Sequence, residues 1–183
     1  MSEEFLSGEK NTFEKFYELN IEKYKANSTL AASHPYASSW FTWPLLIRPV
    51  FYWTGGEANI YLLGNPVLWW LSTLAVFAFI PLLYFMKLWH DKTALLLFTG
   101  YLITFLPFAF IGRVMFLYHY LTPLIFAVML LSYLASKFRH AGWILSVLLL
   151  VIVLSFIYFA PLTYGLPLKE EQLQSRLWLD SWR

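Results

Sequence analysis

The stretch PVLWWLSTLAVFAFIPLLYFM (66–86) decides the fold. It carries no acidic residue, and at 1.5 Å of rise per residue a helix of this length reaches about 30 Å, the thickness of a bilayer's hydrocarbon core. Three comparable stretches follow, at roughly 93–111, 114–135 and 142–160. A backbone that crosses lipid must satisfy its own hydrogen bonds, so each reads as a helix. The expected fold class is therefore an all-α membrane protein of about four transmembrane helices. Pro81, Pro107 and Pro123 lie within these stretches and predict kinks, which membrane helices tolerate.

Composition agrees. Of 183 residues, 59% are hydrophobic and 13% charged, against about 25% charged in soluble domains. Aromatics make up 21%, with 9 Trp and 12 Tyr, residue types that gather where a membrane meets water. A net charge of +2 gives no case for a nucleic-acid partner. With no cysteine, disulfides, thiolate metal sites and a cysteine nucleophile are all excluded. The opening MSEEFLSGEK is acidic and polar, unlike a cleavable signal peptide. Membrane entry is then expected through the internal apolar segments, or through sequence that once preceded them.

Four regions follow. Residues 1–33 form an amphipathic N-terminal segment. Asn11 and Glu14 resemble a capping box, and Phe13, Phe16, Tyr17, Ile21 and Tyr24 recur at helical spacing, opposite a charged face. Such a helix packs on its own protein or lies at the lipid interface; both readings fit. Residues 34–63 form an aromatic interfacial loop. Its core, HPYASSWFTWPLLIRPVFYW (34–53), holds three Pro, three Trp and an Arg, and its apolar part is too short to span. A Gly-containing turn is expected over 54–63. Residues 64–160 are the four-helix transmembrane domain, and 161–183 are an amphipathic, Trp-containing tail.

The connections orient the chain. KLWHDK (87–92) holds Lys87 and Lys92, and SKFRH (136–140) holds Lys137 and Arg139, whereas 112–113 holds only Arg113. The positive-inside rule puts the first and third connections in the cytoplasm. Both termini, the aromatic loop and Arg113 then fall on the extracytoplasmic side.

No complete catalytic constellation is visible: no acid pairs with a histidine at metal-ligand spacing, and there is no Gly-rich phosphate loop or GxSxG. Glu57, the one acid near the outer boundary of the first span, reads as a surface loop residue. Arg48 sits in an aromatic, apolar sequence, where it is either a headgroup-level anchor or a phosphate contact, since guanidinium matches phosphate oxygens bidentately. Arg113, at the outer end of the second span, is either a span terminator or a second phosphate contact. His119, in FLYHYLTP, is an ionisable group within a span and so a candidate for function; a structural histidine fits equally. Asn65 in LGNP reads as an N-cap before a proline at the first helical position. His34, before Pro35, orients a ligand or structures its loop. Arg176, beside Trp178 and Trp182, reads as a further interface anchor. Cations beside aromatic surface on one face suit an anionic lipid headgroup, a polyprenyl phosphate among them.

Four motifs in order, HPYASSWFTWPLLIRPVFYW (34–53), LGNPVLWW (63–70), FLPFAFIGRVMFLYHYLTPLIF (105–126) and APLTYGLPL…SRLWLDSW (160–182), resemble the C-terminal four-span region of the polyprenyl- or dolichyl-phosphate-mannose-dependent protein O-mannosyltransferases, from about residue 16 to the end. The resemblance implies the C-terminal half of a GT-C-type inverting transferase. That family moves mannose from a lipid-phosphate donor to Ser or Thr of secretory proteins. A carboxylate deprotonates the acceptor and cations stabilise the leaving lipid phosphate. The family's acidic pair lies in an N-terminal loop with no counterpart here, so the chain is expected to carry no catalytic residue and to be inactive without an N-terminal half. His34, Arg48, Asn65, Arg113 and His119 fall on family motif positions. Arg48 and Arg113 are the expected donor-phosphate or headgroup contacts, and His34, Asn65 and His119 the site-shaping residues. Ser39 departs from the family's usual proline. No metal or cofactor is expected beyond the lipid-linked sugar as substrate. The expected partners are membrane lipids, an N-terminal catalytic half or family subunit, and acceptor polypeptides, in a bacterial or archaeal plasma membrane or the endoplasmic reticulum. A non-catalytic membrane subunit, or a transporter or lipid-phosphate-binding module, are the competing readings.

Overall fold

The computed structural model describes residues 11–28 and 34–183, and these fall into two compact units. One comprises the N-terminal region to His34 together with 111–114. The other comprises 35–110 and 115–183.

In the first unit, α1 (Thr12–Ser28) begins where Asn11 predicts a start: the Asn11 carbonyl accepts the Lys15 N–H at 3.0 Å. The rings of Phe13, Phe16, Tyr17 and Tyr24 are exposed, so the helix does not bury its apolar stripe.

The second unit holds four helical segments long and apolar enough to cross a membrane: Pro66–Phe85, Lys92–Phe110, Leu117–Ser136 and Ala141–Tyr164. The first is α2 and the last α5 (Ala141–Tyr164). The second segment is α3 (Lys92–Phe105) run on by a short 3-10 helix to Phe110, and the third begins as a 3-10 turn before α4 (Leu121–Ser136). These match the apolar stretches to within a few residues. The prolines do different things. Pro81 lies inside α2. Pro107 lies where α3 tightens into its 3-10 extension. Pro123 sits in the first turn of α4, where its missing N–H would have no intrahelical partner, so no kink is required there.

α4 is central, packing against α2 and α3, with α5 against α2, α4 and the hairpin described below. The buried faces are narrow: Ala94, Leu97, Tyr101 and Phe105 of α3 and Ala127, Leu130 and Leu134 of α4 follow three- and four-residue spacing. The outer faces are equally apolar, with Leu74, Phe77, Ile80, Ile103, Ile125 and Leu154 exposed. Helices that are apolar on every side belong in lipid, where close packing rather than hydrophobicity holds them together. At Gly100 an added Cβ would sit 2.4 Å from the Phe126 ring, so α3 and α4 approach closely there.

Residues 54–63 are not simply a turn. Val50–Gly55 (β1) and Ala58–Leu62 (β2) form an antiparallel hairpin closed at Gly56-Glu57, with an irregularity between Phe51 and Trp53. The run of aromatic and β-branched residues, then Gly55-Gly56, then NIYL is a hairpin signature that an interfacial-loop reading passes over. The hairpin packs on the C-terminal part of the chain: Glu57 carbonyl accepts Leu168 N–H at 3.0 Å. Gly165, in the left-handed region at φ 64°, ends α5 and lies so near Ile60 that a Cβ would sit 2.8 Å from its Cγ1. The tail then forms a short helix α6 (Glu170–Gln174) and a final turn at Asp180–Trp182.

At the other end of the bundle Asp91 joins two helices. Its carboxylate caps α3 by accepting Ala94 N–H at 3.1 Å, accepts the Tyr133 hydroxyl at 2.8 Å, and pairs with Lys137 Nζ at 2.8 Å just past α4. Those contacts, that from Lys137 foremost, hold the Asp91 carboxyl down at about 2, below its usual 3.8, and raise the Lys137 ammonium above 10.5. A depressed carboxyl stabilises the fold above its unfolded value, and the contribution is lost as pH falls through the folded value. Thermal stability in detergent should therefore drop between pH 4 and 2, and Asp91→Asn should flatten that dependence. An unchanged slope in the variant would show that the cluster contributes nothing.

Candidate functional site

The aromatic loop turns inward at its centre. Trp40–Leu45 is a 3-10 turn whose Trp43 and Pro44 are buried, and Leu46 closes it in the left-handed region at φ 55°. The Ser39 carbonyl opens it, accepting the Thr42 N–H at 3.0 Å and the Thr42 hydroxyl at 2.7 Å. Within the turn the Trp43 carbonyl accepts the Leu46 N–H at 3.0 Å; carbonyls at the end of a turn otherwise lack partners, and buried ones need donors.

Side chains supply them in sequence. Trp69 Nε1 donates to the Trp43 carbonyl at 2.7 Å, and the Thr73 hydroxyl to Pro44 at 2.6 Å. Trp70 Nε1 donates to Leu45 at 2.9 Å and Trp182 Nε1 to Leu46 at 2.7 Å. Ser181 completes the row on Ile47. Five consecutive carbonyls thus rest on α2 and the C-terminal turn, and Arg48 is the next residue. It is exposed, with no hydrogen-bond or ion-pair partner among the described residues.

The same loop is tied to the start of the third span. Ser38 N–H donates to Met115 carbonyl at 2.9 Å. The fully buried Trp43 donates through Nε1 to Ser38 Oγ at 2.9 Å. Its ring stacks on His119, centroids 5.8 Å apart and planes 12° apart. His119 is half-buried, stacked also on Tyr118 at 4.5 Å, with Nδ1 within 3.2 Å of Phe116 N and 2.9 Å of its carbonyl. Asn65 caps α2, accepting Leu68 N–H at 3.1 Å, while its Nδ2 donates to the Ile152 carbonyl of α5 at 2.8 Å. Pro66 follows at the first helical position, as the spacing predicts.

Arg48, Asn65 and His119 lie in the larger unit, with His119 stacked on Trp43 of the clamped loop, and His34 and Arg113 lie in the smaller one. His34 is exposed and Arg113 half-buried. Arg176, read as an interface anchor, is engaged within the protein. Its Nε donates to Tyr158 carbonyl at 2.8 Å and Nη1 to Gln172 carbonyl at 2.7 Å, and its guanidinium lies 4.6 Å from the Tyr158 ring centroid. It fastens the tail to α5.

The acids offer little chemistry. Glu57 is exposed at the hairpin tip, Glu170 and Glu171 are exposed on α6, and Asp180 pairs with Arg183 at 3.3 Å. Among the described residues no group of His, Cys, Asp or Glu could hold a metal ion. Burial, with Tyr36 and Glu170 adding to it, pushes the Tyr61 phenol above 10.0, so it stays protonated at neutral pH. The loop and its supports can place a guanidinium beside aromatic surface.

The donors Trp69, Trp70, Thr73, Ser181 and Trp182 are what sequence reasoning missed; in sequence Trp69 and Trp70 read as interfacial belt and Trp182 as part of an anchor beside Arg176. Two of the five carbonyls, those of Leu46 and Ile47, are held by the C-terminal turn, a pairing visible only in three dimensions.

Residues 12–182 match the family model described as the C-terminal four TMM region of protein-O-mannosyltransferase. The chain is 31% identical to Candida albicans dolichyl-phosphate-mannose–protein mannosyltransferase 1 over 85% of this chain and 21% of that protein. It is 29% identical to the Saccharomyces cerevisiae protein of that name over 92% of this chain and 24% of the relative. The structure of the S. cerevisiae protein O-mannosyltransferase Pmt1-Pmt2 complex bound to the sugar donor is similar at a TM-score of 0.79 and 25% identity, over 95% of this chain and 27% of that one. The chain therefore spans about a quarter of the length of these relatives. The likeness carries the GT-C-type C-terminal half that the motifs imply. With four membrane-length helices and a family match over nearly its whole length, the chain is an integral membrane protein and belongs to the protein O-mannosyltransferase family, as its C-terminal four-span region.

Proposed function

We propose that this chain is the membrane part that seats the lipid-phosphate end of a mannose donor, in an enzyme that transfers mannose from a polyprenyl-phosphate carrier to Ser or Thr of secretory proteins. The observation that carries the reading is the row of five clamped carbonyls ending at an exposed Arg48 that has no partner among the described residues, in a chain whose family is a mannosyltransferase family. A guanidinium carried on a clamped backbone at the head of an apolar bundle suits a phosphate that becomes a leaving group. Its planar fork matches phosphate oxygens and can meet the charge that develops on them in the transition state. Asn65 and His119, in the same unit as Arg48, shape the site on this reading; His34 and Arg113 belong to the other unit, where Arg113 is a separate headgroup contact.

On this reading the base for the acceptor hydroxyl is not among the described residues of this chain. An N-terminal half, or a family subunit of the kind found in the S. cerevisiae complex, supplies it. The lysine-bearing connections face the cytoplasm, and the loop, Arg113 and both termini face the opposite side, where secretory acceptors pass.

Arg48→Ala should weaken binding of a polyprenyl phosphate about tenfold or more, the worth of a charge-assisted hydrogen bond, with Arg113→Ala acting in the same direction. Binding of both variants equal to that of the parent chain would favour the headgroup-anchor reading. Purified alone, the chain should transfer no mannose from a lipid donor; measurable transfer would overturn the assignment of the base to another chain or segment. Tags at the two ends should be reached from the same side of a sealed vesicle.

A further inference from the structure

The end of the bundle remote from Arg48 carries a second feature, which the proposed mannosyl transfer does not use. Where α2 ends, α3 begins and α4 ends, Lys87, His90, Asp91, Lys92 and Lys137 line an open depression of about 530 Å³. Three lysines stand against one aspartate. Asp91 is already matched by Lys137 at 2.8 Å and by the Tyr133 hydroxyl. Lys87 and Lys92 are exposed and have no ion-pair partner among the described residues. A cluster of ammonium groups with two charges unmatched is a site for an anion.

An apolar groove opens beside it. Ala78 and Leu82 of α2, Leu134 of α4, Phe138 just past α4, and Ile144 and Leu148 of α5 line a cleft of about 290 Å³. The two are continuous along the chain: Leu82 of the groove lies one helical turn before Met86 of the depression, and Phe138 follows Lys137. Both lie at span ends, so the cationic part sits at headgroup level and the apolar part just inside the hydrocarbon.

We propose that this end of the bundle binds one anionic phospholipid, its phosphate held by Lys87 and Lys92 and an acyl chain laid in the groove between α2, α4 and α5. Basic pockets between spans bind anionic headgroups in this way. In the proposed orientation this end meets the cytoplasmic leaflet, where anionic lipids lie, but the site stands on its own residues whichever way the chain inserts.

Native mass spectrometry of the whole chain in detergent, titrated with phosphatidylglycerol or phosphatidylcholine, tests it. One equivalent of phosphatidylglycerol should be retained in preference to phosphatidylcholine. The double variant Lys87→Gln, Lys92→Gln should lower phosphatidylglycerol retention about tenfold or more and leave phosphatidylcholine unaffected. Both positions are exposed, so the fold should tolerate the change. Ala78→Phe, which fills the groove and leaves the lysines in place, should lower retention of the same lipid. Equal retention of the two lipids would overturn the proposal, as would indifference to the lysine variant. So would tight binding of glycerol phosphate in place of the lipid, which would mark a site for a soluble phosphate.

Discussion

The structure depends on donors reaching the carbonyls of residues 43–47. Non-helical backbone buried at the end of a membrane bundle needs partners for its polar groups. Here the donors are three indoles and two hydroxyls, from α2 and from the last residues of the chain. Indole suits the task because its single N–H donates while the rest of the ring packs as hydrocarbon. The Trp70 and Trp182 rings stack at 6.1 Å, and Phe159 of α5 meets Trp182 at 6.3 Å and Trp178 at 4.8 Å. The clamp is thus also the packing of the tail on α2 and α5.

That constraint explains features that otherwise look unrelated. Leu46 adopts a left-handed backbone that costs a non-glycine residue about 1–2 kcal/mol. It is held there because its side chain is fully buried and its carbonyl is bonded to Trp182. The tail folds back through Arg176 onto Tyr158, which brings Ser181 and Trp182 to the loop. The hairpin follows directly after the clamped segment and leans on Gly165 and Leu168. Arg48 lies between the clamped carbonyls and the hairpin, held at its backbone on both sides, so its guanidinium hangs from a backbone with little freedom. A site that must meet charge as it develops gains from such rigidity.

Much of the fold was legible in the sequence, for a plain physical reason. Span length is set by the bilayer, so the four apolar stretches mark α2 to α5 almost to their ends. Asn65 before Pro66 marks the start of α2 because capping is local chemistry. The hairpin is harder to read despite its Gly-Gly turn, because a run of aromatics reads equally as an interfacial belt. The site was legible only in outline. Arg48 stands out as a cation in apolar sequence. What fixes it does not, since the Trp182–Leu46 contact joins residues 136 apart in the chain. Arg176 looked like Arg48 in sequence, yet its guanidinium is spent on carbonyls of Tyr158 and Gln172. A pattern of residue types does not reveal whether a cation is already engaged.

The most direct test of the clamp is proximity between its two halves in a membrane. The chain has no cysteine, so Ile47→Cys with Ser181→Cys introduces one defined pair. A short thiol-to-thiol cross-linker applied to membranes should join the two in high yield, and Thr163→Cys in place of Ser181→Cys should not be joined. Failure of the 47–181 pair to cross-link, with both thiols reactive, would contradict the account: the tail would not hold the loop, and Arg48 would not be fixed at the head of the bundle.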